Sequence, residues 1–136
     1  MEVIRKCVQQ TIELLPTELC WTESNYQRCL SSLLSQFGTV ENEVVLSYNV
    51  IIGGRKVCVG AGRCDIIFVP SGTDTLHGKT WILELKIAPK TYNMRYFHPQ
   101  IKRYCKMYTQ DYGPCEGAVV VFSNFKTACE HVVKSS

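Results

Sequence analysis

Trp81-Ile82-Leu83-Glu84-Leu85-Lys86-Ile87 is an apolar run that carries one acid and one base two residues apart. In an extended chain side chains alternate between faces, so Trp81, Leu83, Leu85 and Ile87 share an apolar face while Glu84 and Lys86 stand together on the other. A carboxylate and an ammonium are thereby aimed at one place. The run follows a second strand-like segment, Cys64-Asp65-Ile66-Ile67-Phe68-Val69, with another carboxylate near its start. Pairing of the two strands brings Asp65, Glu84 and Lys86 together. An acid inside an apolar strand is costly unless it is paired or metal-bound. Two carboxylates and a lysine are the groups that a magnesium-dependent phosphodiester hydrolase needs: hard oxygen ligands for the cation and a positive charge beside the scissile phosphate.

On the N-terminal side, residues 44–52 are rich in β-branched side chains and read as a strand. Gly53-Gly54 forms the hairpin turn into a returning strand from about Lys56, which passes through or bulges at Gly60-Ala61-Gly62 before Asp65. A helix over residues 22–37 carries Tyr26, Leu30, Leu33, Leu34 and Phe37 at helical spacing, with Thr22 or Ser24 as its cap, Glu23 in its first turn and Gly38 as its stop. A first helix over residues 1–15 is ended by Pro16. On the C-terminal side, residues 71–79 read as a loop before the Trp81 strand and residues 88–97 as irregular. Pro99 opens a helix to about Thr109, with Ile101, Tyr104, Cys105 and Tyr108 inward and Lys102, Arg103 and Lys106 outward. Gly117 to Phe122 is a strand covered on both faces. A short helix over residues 126–134 is expected to close the chain.

At 136 residues the chain fits one domain, 1–136, and 46% hydrophobic with 20% charged residues is the composition of an ordered globular protein. The net charge is only +3. Its distribution says more: from Lys86 to Lys106 the chain holds Lys86, Lys90, Arg95, Lys102, Arg103 and Lys106 and no acid, as a polyanion-binding surface would. The eight cysteines are scattered without a C-x-x-C pair, which disfavours a structural zinc site. They read as reduced core residues of an intracellular protein, because Met1-Glu2-Val3-Ile4-Arg5 begins no signal peptide and no apolar run approaches a membrane span.

These motifs resemble the PD-(D/E)XK nuclease superfamily, and within it the small single-domain GxxExxY proteins. Glu23-Ser24-Asn25-Tyr26 matches the ExxY part, Gly62-Arg63-Cys64-Asp65 the aspartate strand, Glu84-Leu85-Lys86 the ExK strand, and Gln100-Ile101-Lys102-Arg103-Tyr104 the Q-x-x-x-Y helix. The glycine of the group's name falls at position 20, which is Cys20. The resemblance implies an α/β (α+β) fold with a restriction-endonuclease-like core, a central mixed four-stranded sheet flanked by helices in the order αβββαβ, with extra terminal helices. It further implies Mg²⁺ or Mn²⁺ bound by Asp65, Glu84, the Leu85 carbonyl and Glu23, with Lys86 and Gln100 completing the catalytic group. Lys90, Arg95, Lys102, Arg103 and Lys106 are expected to contact nucleic acid, DNA more than RNA, and a homodimer is an expected state. The alternative is a nuclease-like domain that binds nucleic acid or a protein partner without cleaving.

Overall fold

A computed structural model describes residues 1–14, 22–72, 79–89, 91–123 and 126–135. Helix α1 (Glu2–Leu14) buries Ile4, Cys7, Val8 and Thr11, a stripe at helical spacing. Helix α2 (Glu23–Leu34) starts at Thr22, whose Oγ accepts a hydrogen bond from Asn25 N–H at 3.4 Å. Leu15, Pro16 and Cys20 lie outside the described residues.

Five strands follow: β1 (Gly38–Ile52), β2 (Arg55–Pro70), β3 (Trp81–Ile87), β4 (Glu116–Ser123) and β5 (Lys126–Val133), with α3 (His98–Tyr112) between β3 and β4. They lie side by side in sequence order, antiparallel except for β3 and β4, which run parallel across the α3 crossover. Helices α1 and α2 cover one face over Ile66, Phe68, Leu83, Leu85, Val120 and Phe122. Helix α3 covers the other through Ile101, Tyr104, Cys105 and Met107 against Ile67, Ile82, Val119 and Val121. Strand β4, between β3 and β5 and covered on both faces, is buried along its whole length.

The α+β class is as the sequence predicts, but three expectations are corrected. The sheet has five strands, not four, and residues 126–133 form β5, not a terminal helix. Without β5 the outer edge of the buried strand β4 would leave its backbone groups unpaired. Thr127, Val132 and Val133 also favour an extended chain. The hairpin strand begins at Gly38, after a three-residue turn that follows α2, and not at residue 44. The return strand runs unbroken through Gly60-Ala61-Gly62; the register shift falls at Tyr48/Asn49, opposite Gly60 and Cys58, which leaves Val59 as the extra residue.

Gly38 sits where β1 must pass close to β2. A Cβ there would lie 2.2 Å from the Val69 carbonyl oxygen, a backbone atom that no side-chain rotation can move. Gly38→Ala is therefore expected to destabilise the protein by about 1–3 kcal/mol, read as a lowered urea midpoint with an unchanged m-value. An unchanged midpoint would mean that the two strands can separate there freely.

Candidate functional site

The pairing of β2 with β3 covers Phe68 with Trp81, Ile67 with Ile82 and Ile66 with Leu83, and stops there. The next opposed residues are Asp65 and Glu84. Beyond them β2 continues with β1 alone toward the hairpin turn, whereas β3 continues along β4 to Ile87. The sheet forks, and two acids stand at the vertex.

Their carboxylates take over from the interrupted ladder. Leu85 N–H donates to Asp65 Oδ2 at 2.7 Å, and Asp65 N–H donates to Glu84 Oε1 at 3.3 Å. Each acid thus satisfies a backbone donor that the end of the pairing would otherwise orphan. Lys86 Nζ lies 3.6 Å from Glu84 Oε2; the lysine side chain is 26% exposed and that of Glu84 only 3%. The site therefore meets solvent on its lysine side.

Burial, and next the neighbouring Asp65, push the Glu84 carboxyl up to about 8, with Lys86 opposing. Asp65 is raised as well, by burial first, while the Leu85 N–H works against it and Glu43 with it. Without a cation Glu84 therefore holds a proton at neutral pH. Cys64, beside the vertex, has its thiol pushed up to about 12 by burial and by the two acids, so it stays a neutral core group. The cysteines of the described residues are all free.

Glu23, in the first turn of α2, belongs to the same electrostatic environment. Its carboxyl is raised by burial and then by Asp65, and lowered by Lys86. Glu43 has no site role in the sequence pattern, yet its charge raises both Asp65 and Glu23. It falls between the register pairs Asn42–Ile66 and Val44–Cys64, opposite Asp65, and has φ 53°, an uncommon conformation for a residue with a Cβ. Gln27 Nε2 donates to the Asp65 carbonyl at 3.0 Å and to Asn42 Oδ1 at 3.2 Å, and Ser31 Oγ donates to Asn42 Oδ1 at 2.6 Å. These groups hold the aspartate's backbone in place. The signal for them was present: Gln27, Ser31 and Leu34 recur at i, i+4, i+7, which puts two polar residues on the inward stripe of α2.

On α3, Gln100 Nε2 donates to Tyr104 Oη at 3.1 Å. The tyrosine ring lies on β2, where a Cβ at Gly62 would come within 2.6 Å of Tyr104 Cε1. The Q-x-x-x-Y pair is thus seated three residues from Asp65. Arg103 donates to the Ala61 carbonyl at 3.0 Å, which ties α3 to the hairpin arm. Lys102 and Lys106 border a different groove with Tyr48 and Lys134. Arg95 is exposed on the 3-10 turn Met94–Phe97. Lys90 lies outside the described residues. Of the basic residues of the sequence reading, the four that are described, Arg95, Lys102, Arg103 and Lys106, do not all converge on one patch.

Among the described residues no group of three or more His, Cys, Asp or Glu side chains is placed to hold one metal ion. The vertex offers two carboxylates and the backbone of Leu85. Mg²⁺ keeps several waters and takes one or two protein carboxylates together with substrate phosphate oxygens, so this oxygen set fits it. A third buried acid, Glu116, does not belong to the site. Burial would raise its carboxyl, but hydrogen bonds from Lys79, Ser135 N–H and His131 hold it below the usual range.

No family model matches the chain, and no curated protein matches it in sequence. Its fold is similar to that in the crystal structure of SSO0001, with a TM-score of 0.55 and 15% identity, covering 94% of this chain and 76% of that one. Among the described residues no helix is long and apolar enough to cross a membrane.

Proposed function

We propose that the chain is a metal-dependent nuclease with a restriction-endonuclease-like core, hydrolysing phosphodiester bonds of nucleic acid, DNA in preference to RNA. The observation that carries this reading is the forked sheet: the β2–β3 pairing ends at Ile66–Leu83, and the next two residues are the buried acids Asp65 and Glu84, with Lys86 at 3.6 Å from the second. Asp65, Glu84 and the Leu85 carbonyl would hold Mg²⁺ or Mn²⁺, with Glu23 adding negative charge from α2. The chemistry supplied by such a cation is Lewis-acid stabilisation of charge on the phosphate oxygens. Glu84 has to release its proton before its carboxylate can serve as a ligand. Lys86, tethered by Glu84 and partly exposed, is the group that reaches the scissile phosphate or the attacking water and stabilises the charge that develops there. The free thiols suit a reducing, intracellular setting.

The direct experiment is incubation of the purified protein with linear, circular, single-stranded and branched DNA, with and without Mg²⁺ or Mn²⁺. Lys86→Ala is expected to lower turnover by roughly 10²-fold while changing metal affinity little, because its ammonium acts on the reacting groups and not as a ligand. Single-turnover cleavage and isothermal titration measure the two separately. A larger loss of metal binding than of turnover would make Lys86 a counterion for Glu84. A second reading, a binding module without cleavage, is favoured by one observation: both acids already brace the backbone at the vertex. It predicts nucleic-acid or protein binding with no metal-dependent product.

A further inference from the structure

The side of α3 that carries Lys102 and Lys106 borders a groove of about 620 Å³. Its apolar lining includes Tyr48, Val132 and Val133, and its cations are Lys102, Lys106 and Lys134. A smaller groove of about 220 Å³ shares Tyr48 and Lys106 and adds Arg103 on the hairpin side. Among the described residues no acid lines either groove. None of the three lysines makes an ion pair among the described residues, where the bridging lysines are Lys56, Lys79 and Lys86. In a chain of net charge +3, this is a local concentration of unneutralised charge around an apolar trough.

We infer that this trough binds a single-stranded segment of nucleic acid, a deepening that rests on nucleic acid being what the proposed site acts on or binds. Charge complementarity selects a polyanion. Lys102 and Lys106 are one helical turn apart, about 6 Å along the axis, on the order of the spacing of successive phosphates in an extended strand. The apolar lining selects a strand whose base faces are free, since a duplex hides them in its own stack. Lys106 Nζ lies 5.3 Å from the centre of the Tyr48 ring, so a cation and an aromatic surface are presented together. Gln100 and Tyr104 face β2 near the vertex, whereas Lys102 and Lys106 border the trough. An unpaired arm crossing α3 would leave the adjoining nucleic acid at the fork. The substrate class this assigns is branched or flapped nucleic acid.

The test uses the full chain carrying Asp65→Asn to prevent cleavage, and a fluorescein-labelled oligothymidylate of about fifteen nucleotides, near the upper end of the site sizes of single-strand-binding OB folds. Anisotropy is followed between about 50 and 200 mM salt, beside a duplex of equal length. Replacing Lys102, Lys106 and Lys134 together by glutamine is expected to flatten the single-strand log-log salt slope by about 2, at about 0.7 per contact. Affinity for the single strand should fall more than tenfold, and the duplex should be affected less. Tyr48→Leu is expected to weaken the single strand about tenfold with little change in slope. The surface lysine variant carries the test if the tyrosine variant folds poorly. An unchanged single-strand slope and affinity in the triple variant overturns the inference, as does saturable binding of decanoate or adenosine monophosphate with none of the oligonucleotide. Groove-dependent binding of the single strand by a wild-type protein that cleaves no DNA with Mg²⁺ or Mn²⁺ sustains the inference and removes the nuclease reading.

Discussion

Asp65→Asn and Glu84→Gln are each expected to lower metal-dependent cleavage by on the order of 10³-fold or more, with the fold intact, because each removes a ligand charge and a hard anionic oxygen from the cation. The amide oxygen introduced by Asp65→Asn can still accept from the Leu85 N–H, so the brace at the vertex survives the substitution. In Glu84→Gln a single amide oxygen has to choose between the Asp65 N–H and Lys86 Nζ, which the glutamate serves with one oxygen each. Circular dichroism should be unchanged in both variants, while isothermal titration shows weakened Mg²⁺ or Mn²⁺ binding. Cleavage at the wild-type rate by either variant would sink the site assignment and leave the binding-module reading in its place.

The second large effect is on stability against pH. Glu84 titrates at about 8 in the folded protein against an ordinary value of 4.5. A raised carboxyl means that the native state holds the proton more tightly than the unfolded chain does. The stability it contributes is fully present below pH 4.5 and is lost as pH rises toward 8, at up to about 1.4 kcal/mol per pH unit. Urea denaturation in a chelator should therefore show the wild type losing a few kcal/mol between about pH 5 and 8. Asp65 and Glu23, raised in the same direction, add to the decline. Glu116 is lowered and works in the opposite direction, but its window lies below 4.5. Glu84→Gln should flatten the profile and be the more stable protein at about pH 8. Saturating Mg²⁺ should reverse the slope in the wild type, because the cation binds the deprotonated pair. A profile that is the same in wild type and Glu84→Gln would show that the carboxyl is ionised and solvated at the vertex.

The vertex was legible because strand alternation is a local property: Glu84 and Lys86 interrupt an apolar run, and Asp65 opens another. Gly53-Gly54 marked the hairpin in the same way, with both glycines at positive φ. What failed was whatever another element decides. Residues 126–133 carry no decisive period of their own, and their form is set by the open edge of β4. The first turn of the hairpin strand, Glu41-Asn42-Glu43, is polar enough to pass for a loop, so the acid opposite Asp65 went unread. The basic stretch was visible as composition only. Which of its cations meet the trough, the hairpin arm or solvent depends on how α3 crosses the sheet, and no spacing in the sequence encodes that crossing.

The sequential order of the strands bears on how the chain is made. In a sheet where each strand lies beside its predecessor, a chain emerging from the ribosome never has to insert a segment between partners that have already met. The hairpin of β1 and β2 closes within its own two-residue turn, and β3 adds to an edge already in place. The first pause is imposed by the parallel step, since β4 cannot dock until the whole of α3 has been synthesised to carry the chain back across. During that interval the apolar edge of β3 is the newest and least protected part of the nascent protein, where a chaperone or a wrong partner would find it. Docking of β4 covers that edge and passes the exposure to the outer edge of β4, which only the last strand closes, so truncation within residues 126–133 would leave the buried strand β4 with a bare flank.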